Sequence, residues 1–173
     1  MKLLISLTDL QNLRPLDLVQ SRVEPYIQEA QVHDLRPVLG DELYRDFLSK
    51  FDQTGDPMYT AYQELLNGKD YTVNGYTITY YGVIPMLAYF TLARIVQNNH
   101  FNITRYGAMQ KLNAQSEPIS QGLINAQVTE LRSLAINYQE MVVDFLKNNN
   151  TTYPLYLMER EVVNTSGLRF FDI

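Results

Sequence analysis

Two histidines, one short run of carboxylates and one arginine are the residues here whose types and spacing could do chemistry. His33 adjoins Asp34, a pairing used by metal-dependent phosphohydrolases. That chemistry needs several further histidine ligands, and the chain of 173 residues has only His100 besides. No Glu-x-x-His pair exists to build a carboxylate-bridged di-iron centre on facing helices. Asp41, Glu42 and Asp46 could form an acid/base cluster. Asp41 follows Gly40, however, and reads better as a helix cap, with Glu42 and Asp46 as solvent-facing helix charges. Arg94 sits in an apolar helix and needs a carboxylate partner at the bundle edge, with Asp41, Glu42 and Asp46 as candidates. Cysteine is absent, which removes thiolate nucleophiles, thiolate metal sites and disulfides. There is no phosphate-cradling glycine loop and no nucleophile elbow. The expectation is a protein that is not an enzyme, with no catalytic residue, metal or cofactor.

The elements that would position any site are mostly helical. Pro25 suits the first turn of a helix, and Tyr26, Ile27, Ala30 and Leu35 then form an apolar stripe. Gly40 closes that unit. Glu42 to Phe51 repeats the pattern with Leu43, Tyr44, Phe47, Leu48 and Phe51 inward. DQTGDP (52–57) is a loop by its turn residues, and Pro57 opens a short helix that Gly68 stops. Val83 to Asn98 is apolar nearly all round, as the central helix of a bundle would be. Residues 99–118 read as a long loop or a partly helical link. Ile119 to Asn149 carries Ile124, Val128, Leu131, Ala135, Tyr138, Met141 or Val142, and Phe145 at steps of four and three, an a/d seam. The seam suits an intramolecular core helix, or a coiled coil with another chain. NNNTTYP (148–154) ends it, and the chain finishes on the β-prone GLRFFDI.

Between the third and fourth of these helical units lies KDYTVNGYTITY (69–80). Asn74-Gly75 is the strongest short-range hairpin signal, because a type I′ turn needs positive φ at both positions. Pairing Val73 with Tyr76 places Tyr71 opposite Ile78 and Lys69 opposite Tyr80, all on one face. Thr72 with Thr77 and Asp70 with Thr79 make the other. The hairpin is therefore aromatic and aliphatic on one side and polar on the other. A two-stranded hairpin is marginal alone in water, so its apolar face must lie on something. Its own bundle could serve, and so could a neighbouring subunit.

The bulk numbers exclude several classes. Net charge is −5, so no basic patch is expected to grip nucleic acid through its phosphates. The apolar start MKLLISLTDL is interrupted at Asp9, too early for a secretory core. Tyr80 to Val96 contains Arg94 and is too short to span a membrane. Tyrosine is used 13 times and tryptophan never, which suits half-buried positions and interfaces alike.

In EAQVHDLRPVLGDELYRDF (29–47), the hairpin from Gly68 to Tyr81, GVIPMLAYFTLAR (82–94) and the Tyr153-Pro154 stop, the chain resembles the small helical head–tail connector, or adaptor, proteins of tailed bacteriophages, in the type common in phages of gut Bacteroidetes. The resemblance spans about residues 24–157. It implies a structural virion protein at the neck, built in the host cytoplasm. Such proteins form a ring, usually of twelve copies, join portal to tail or further neck proteins, and let DNA pass through the lumen. The charged stretch MEREVV (158–163) departs from that pattern and leaves the path of the tail open.

The expected architecture is mainly α: a helical bundle with a long C-terminal helix, one β-hairpin at about 69–80 and a β-prone C-terminal tail. It forms one domain over 1–157 with an extension over 158–173. The expected interface comprises Tyr71, Val73, Tyr76, Ile78 and Tyr80 of the hairpin, with Leu168, Phe170, Phe171 and Ile173 of the tail. The alternative reading is a small-molecule or regulatory binding module whose tyrosines line a pocket in the bundle. A hydrolase using the Asp41/Asp46 region comes third.

Overall fold

The computed structural model describes residues 2–14, 19–98, 101–104, 107–110 and 121–156. The fold is mainly helical, as the apolar spacing predicts, with a long helix near the C-terminal end of the described chain. Helix α1 (Leu7–Leu13) opens it, followed by α2 (Gln20–Ala30). A π-helical turn at Gln31–Leu35 leads into α3 (Arg36–Leu39), then α4 (Asp41–Lys50) and α5 (Tyr59–Asn67). Strands β1 (Lys69–Val73) and β2 (Tyr76–Tyr80) precede α6 (Val83–Asn98). Strands β3 (Phe101–Thr104) and β4 (Gly107–Gln110) precede α7 (Gln121–Asn148).

Helix α6 is the axle. It packs along α7 and also meets α1, α2 and α5, which explains why it is apolar nearly all round. Val83, Met86, Leu87 and Ala88 are fully enclosed. Helix α7 is about 42 Å long at 1.5 Å per residue and buries Ile124, Val128, Leu131, Ala135, Val142, Phe145 and Leu146. At the ambiguous seam position Val142 is the inward residue and Met141 is exposed. The extra buried residue, Leu146, widens the seam into a broad stripe. This is the form a helix takes when packed in its own subunit.

The N-terminal residues, which carry little periodic signal, are firmly built in. Ser6 starts α1 with its N–H and Oγ–H both donating to Asp9 Oδ2, at 2.7 and 2.8 Å. Leu4, Ile5 and Leu10 are buried. Gln31, itself fully buried, accepts from Leu4 N–H at 2.7 Å and donates to Lys2 C=O at 3.1 Å, which ties the strap to the helix.

Several local expectations are corrected. Pro25 lies inside α2, not in its first turn. Its missing N–H frees the carbonyl of Ser21, an exposed residue whose carbonyl solvent can serve. The π turn also has a proline cause. Pro37 offers no N–H to His33, and its ring would crowd that carbonyl in a regular helix. The ladder widens instead, and Arg36 N–H bonds to Gln31 C=O. Asp41 is the first residue of α4, after Gly40, and does not cap it with its side chain. Within the expected 99–118 link, β3 and β4 form a second antiparallel hairpin, pairing Phe101 with Gln110 and Thr104 with Gly107. Residues 157–173 lie outside the described residues.

Two glycines pinch the neck of the first hairpin. Gly68 (φ +94) leads into it and Gly82 (φ +79) leads out. A Cβ on Gly68 would stand 2.2 Å from Tyr80 O, and one on Gly82 would stand 2.2 Å from Leu66 O. Both obstacles are backbone, so they cannot swing aside.

Leu131→Ala is expected to cost roughly 2–5 kcal/mol and Phe145→Ala roughly 3–5 kcal/mol in denaturant unfolding, since each is enclosed by the core. Gly68→Ala is expected to lose more than about 1 kcal/mol in the same measurement. A wild-type midpoint for it would mean that the neck can open.

Candidate functional site

The first hairpin has the register read from its turn: Val73 opposite Tyr76, Tyr71 opposite Ile78, and Lys69 opposite Tyr80. Asn74 and Gly75 both have positive φ, as the turn demands. Its apolar face divides along its length. At the base, the Tyr80 ring lies parallel to Phe145 of α7, with centroids 4.0 Å apart and planes at 7°. Tyr80 donates its hydroxyl to Leu65 C=O at 3.0 Å, and burial pushes its pKa well up. Tyr71 meets Phe145 edge-on at 5.4 Å. Lys69 pairs with Glu64 at 2.7 Å. At the tip, Ile78 is 40% exposed and Tyr76 77% exposed, with Val73 between the two regimes.

The expected interface set is thus separated by the structure. Tyr80 is core and is withdrawn from it, because its ring is enclosed by its own subunit. Tyr71 is shared with the core. Val73, Tyr76 and Ile78 form the projecting part. Leu168, Phe170, Phe171 and Ile173 lie outside the described residues.

A second aromatic group adjoins the hairpin. Tyr81, 52% exposed, meets Tyr138 of α7 edge-on at 6.0 Å, and Tyr138 stacks on Tyr89 of α6 at 5.8 Å. Sequence reasoning placed Tyr138 in the seam and missed Tyr81. The signal for it was the end of strand alternation at Tyr80, which sends the next tyrosine sideways.

On another part of the surface is a cleft of about 200 Å³. It is lined by Leu43, Asp46, Lys50, Met58, Tyr62, Tyr153, Pro154 and Leu155. An aromatic ladder joins it to the hairpin base. From Tyr80 and Phe145 the ladder steps to Tyr153 at 5.8 Å and to Tyr62 at 6.4 Å. Tyr153 donates to Ala61 C=O at 2.6 Å, and Tyr62 donates to Asp46. Burial raises the pKa of both tyrosines, and Asp46 raises that of Tyr62 further. Lys50 Nζ reaches Asp46 Oδ1 at 2.7 Å. Burial acts to raise the Asp46 pKa, but hydrogen bonds from Lys50 and Tyr62 outweigh it, so the carboxyl titrates below its usual range.

Several other charges pair within the subunit. Arg94 pairs with Asp34 at 2.5 Å and Glu29 at 3.6 Å, not with Asp41, Glu42 or Asp46. The π turn belongs to the segment that presents Asp34 to it. Asp41 is held by Arg36 at 2.5 and 2.8 Å, a bidentate contact that lowers its pKa. His33 is exposed. Among the described residues no group of three or more His, Cys, Asp or Glu side chains is placed to hold a metal ion. No described helix is long and apolar enough to cross a membrane.

Residues 35–164 match the model of a family of unknown function, DUF6712. The chain belongs to that family. The match takes in the hairpin, α6, α7 and every residue that lines the cleft. No curated protein and no solved structure matches the chain.

The Asp46 arrangement sets a pH dependence. Its folded pKa is depressed, so its contribution is present above the unfolded carboxylate value of about 3.9 and is lost as pH falls through the folded value. Asp46→Asn is expected to flatten the acid side of the stability profile, read as melting temperature against pH. An unchanged acid limb would mean that the carboxylate gains nothing from Lys50 and Tyr62.

Proposed function

We propose that the protein is a structural virion component, a ring-forming adaptor that joins portal to tail and lines the DNA passage at the neck. The observation that carries this reading is the anchored hairpin. Its base is locked on Phe145, while its tip holds Tyr76 and Ile78 out to solvent. An apolar tip on a rigid stalk suits contact with a neighbour better than it suits a free surface. The acidic balance fits a lumen through which DNA must slide without sticking. The resemblance to head–tail connector proteins supplies the rest: a ring of probably twelve copies flanked by the portal and by tail or further neck proteins, without specific DNA binding. The chain would assemble in the host cytoplasm and reside in the virion.

The alternative, a small-molecule module with a tyrosine-lined pocket, has the cleft in its favour. At about 200 Å³ it falls below the ~300–1,000 Å³ of ordinary ligand sites, so it suits a single side chain better than a metabolite.

Sedimentation velocity and negative-stain imaging of the full chain, alone and mixed with a portal protein from the same source, test the proposal. Closed rings, or co-sedimentation with the portal, are expected. Tyr76→Asp with Ile78→Asp is expected to leave the melting temperature of the monomer near wild type and to abolish assembly. A chain that stays monomeric in both settings would sink the adaptor reading. Unfolding of the double variant would show that the tip is core.

A further inference from the structure

We propose that Gln20, Gln31 and Tyr44 form a peptide-reading site, and that associating chains exchange the segment it reads, residues 2–7. The structure holds that segment in place, so the ligand is defined by its own contacts. The proposal does not rest on the ring reading: two chains that trade segments would satisfy it.

Residues 2–6 run ahead of α1 in neither helix nor strand. Three backbone groups of this strap and its junction with α1 bond to glutamine side chains. Leu4 N–H donates to Gln31 Oε1 at 2.7 Å, Gln31 Nε2 donates to Lys2 C=O at 3.1 Å, and Leu7 N–H donates to Gln20 Oε1 at 2.8 Å. Gln31 thus reaches the carbonyl and the N–H on either side of Leu3, the pattern by which a residue of a parallel strand grips its neighbour. Such main-chain bonds supply affinity whatever the side chains, and seats for the side chains supply selectivity. Leu4, Ile5 and, from α1, Leu10 are the seated side chains, each buried. Lys2 is held by Asp52 at 2.7 Å and lies over the Phe51 ring at 5.8 Å.

The reading amide is set in advance. Gln31 is fully buried and shares a hydrogen bond with the buried Tyr44. Reversing the amide would turn its N–H group toward Leu4 N–H and its oxygen toward the Lys2 carbonyl. A buried amide costs desolvation unless a peptide group meets it, so the site favours being filled. None of these contacts requires the strap to belong to the same chain. Exchanging an identical element between copies keeps every contact and is a low-cost route to association. Six residues separate Leu13 of α1 from Gln20 of α2. That length of chain spans about 20 Å when extended, so an arm of strap and α1 can reach an adjoining bundle.

The chain has no cysteine, so introduced thiols report the exchange. A full-length Lys2→Cys chain is mixed at high concentration with a tagged Asp52→Cys chain, and a short bis-maleimide is added after equilibration. A covalent heterodimer is expected, because the strap of one chain then lies beside position 52 of the other. Adding Gln31→Ala to the Asp52→Cys chain is expected to cut the heterodimer on the order of tenfold, as two lost hydrogen bonds would. Tyr44→Phe, which keeps the ring and removes the hydroxyl, serves if that variant melts early. A peptide of residues 2–13 should compete the heterodimer away. The same peptide N-methylated at Leu4 lacks the N–H that Gln31 reads and should compete poorly. Failure to form the heterodimer overturns the exchange. A heterodimer indifferent to Gln31 and Tyr44, or equal competition by the two peptides, overturns the reading site. Neither result touches the ring reading, which fails only if wild-type chains never associate, with or without the portal.

Discussion

The face-to-face stack of Tyr80 on Phe145 fastens the first hairpin to the long helix α7. Phe145 is fully enclosed and touches Tyr71, Tyr80 and Tyr153 at once. Through it the hairpin, the long helix and the segment after that helix share one aromatic core. Aromatic pairs of this kind add about 0.5–1.5 kcal/mol beyond the area they bury. A hairpin with no third strand would be marginal alone, and the stack makes it a fixed projection of the bundle.

The polar interior follows the same economy of partners. Gln31 is buried, yet both ends of its amide are used by the N-terminal strap. Arg94 and Asp34 are both largely shielded, and each would be costly without the other. The π turn, Gln31–Leu35, carries both Gln31 and Asp34. A local defect imposed by Pro37 thereby sets where the strap and the ion pair meet the axle helix.

A fixed neck and an exposed tip are what the proposed docking would call for. A projecting apolar tip on a flexible arm would lose conformational entropy on docking, whereas a stalk already fixed at its base loses little. The walls of the cleft are held in place in the same way. The hydroxyls of Tyr62 and Tyr153 are bonded within the subunit, which holds their rings as fixed walls.

Much of this was legible in the residues. The Asn74-Gly75 turn determined the hairpin register, because only one pairing satisfies a two-residue I′ loop. The apolar spacing determined α4, α6 and α7, because helices must show a stripe to the core. The tertiary structure alone decided which end of the hairpin's apolar face is covered. Alternation assigns residues to a face, but how far a neighbouring helix extends beneath that face depends on packing. That is why Tyr80 is core and Tyr76 is not. Packing likewise chose Val142 over Met141, and it chose Asp34 over Asp46 as the partner of Arg94. Adjacent helix positions differ by only 100° in direction, and an ion pair between helices depends on how they are placed, which no spacing along one helix encodes. The cleft was invisible for the same reason: its walls come from residues 43–62 and 153–155, and only the folded bundle brings them together.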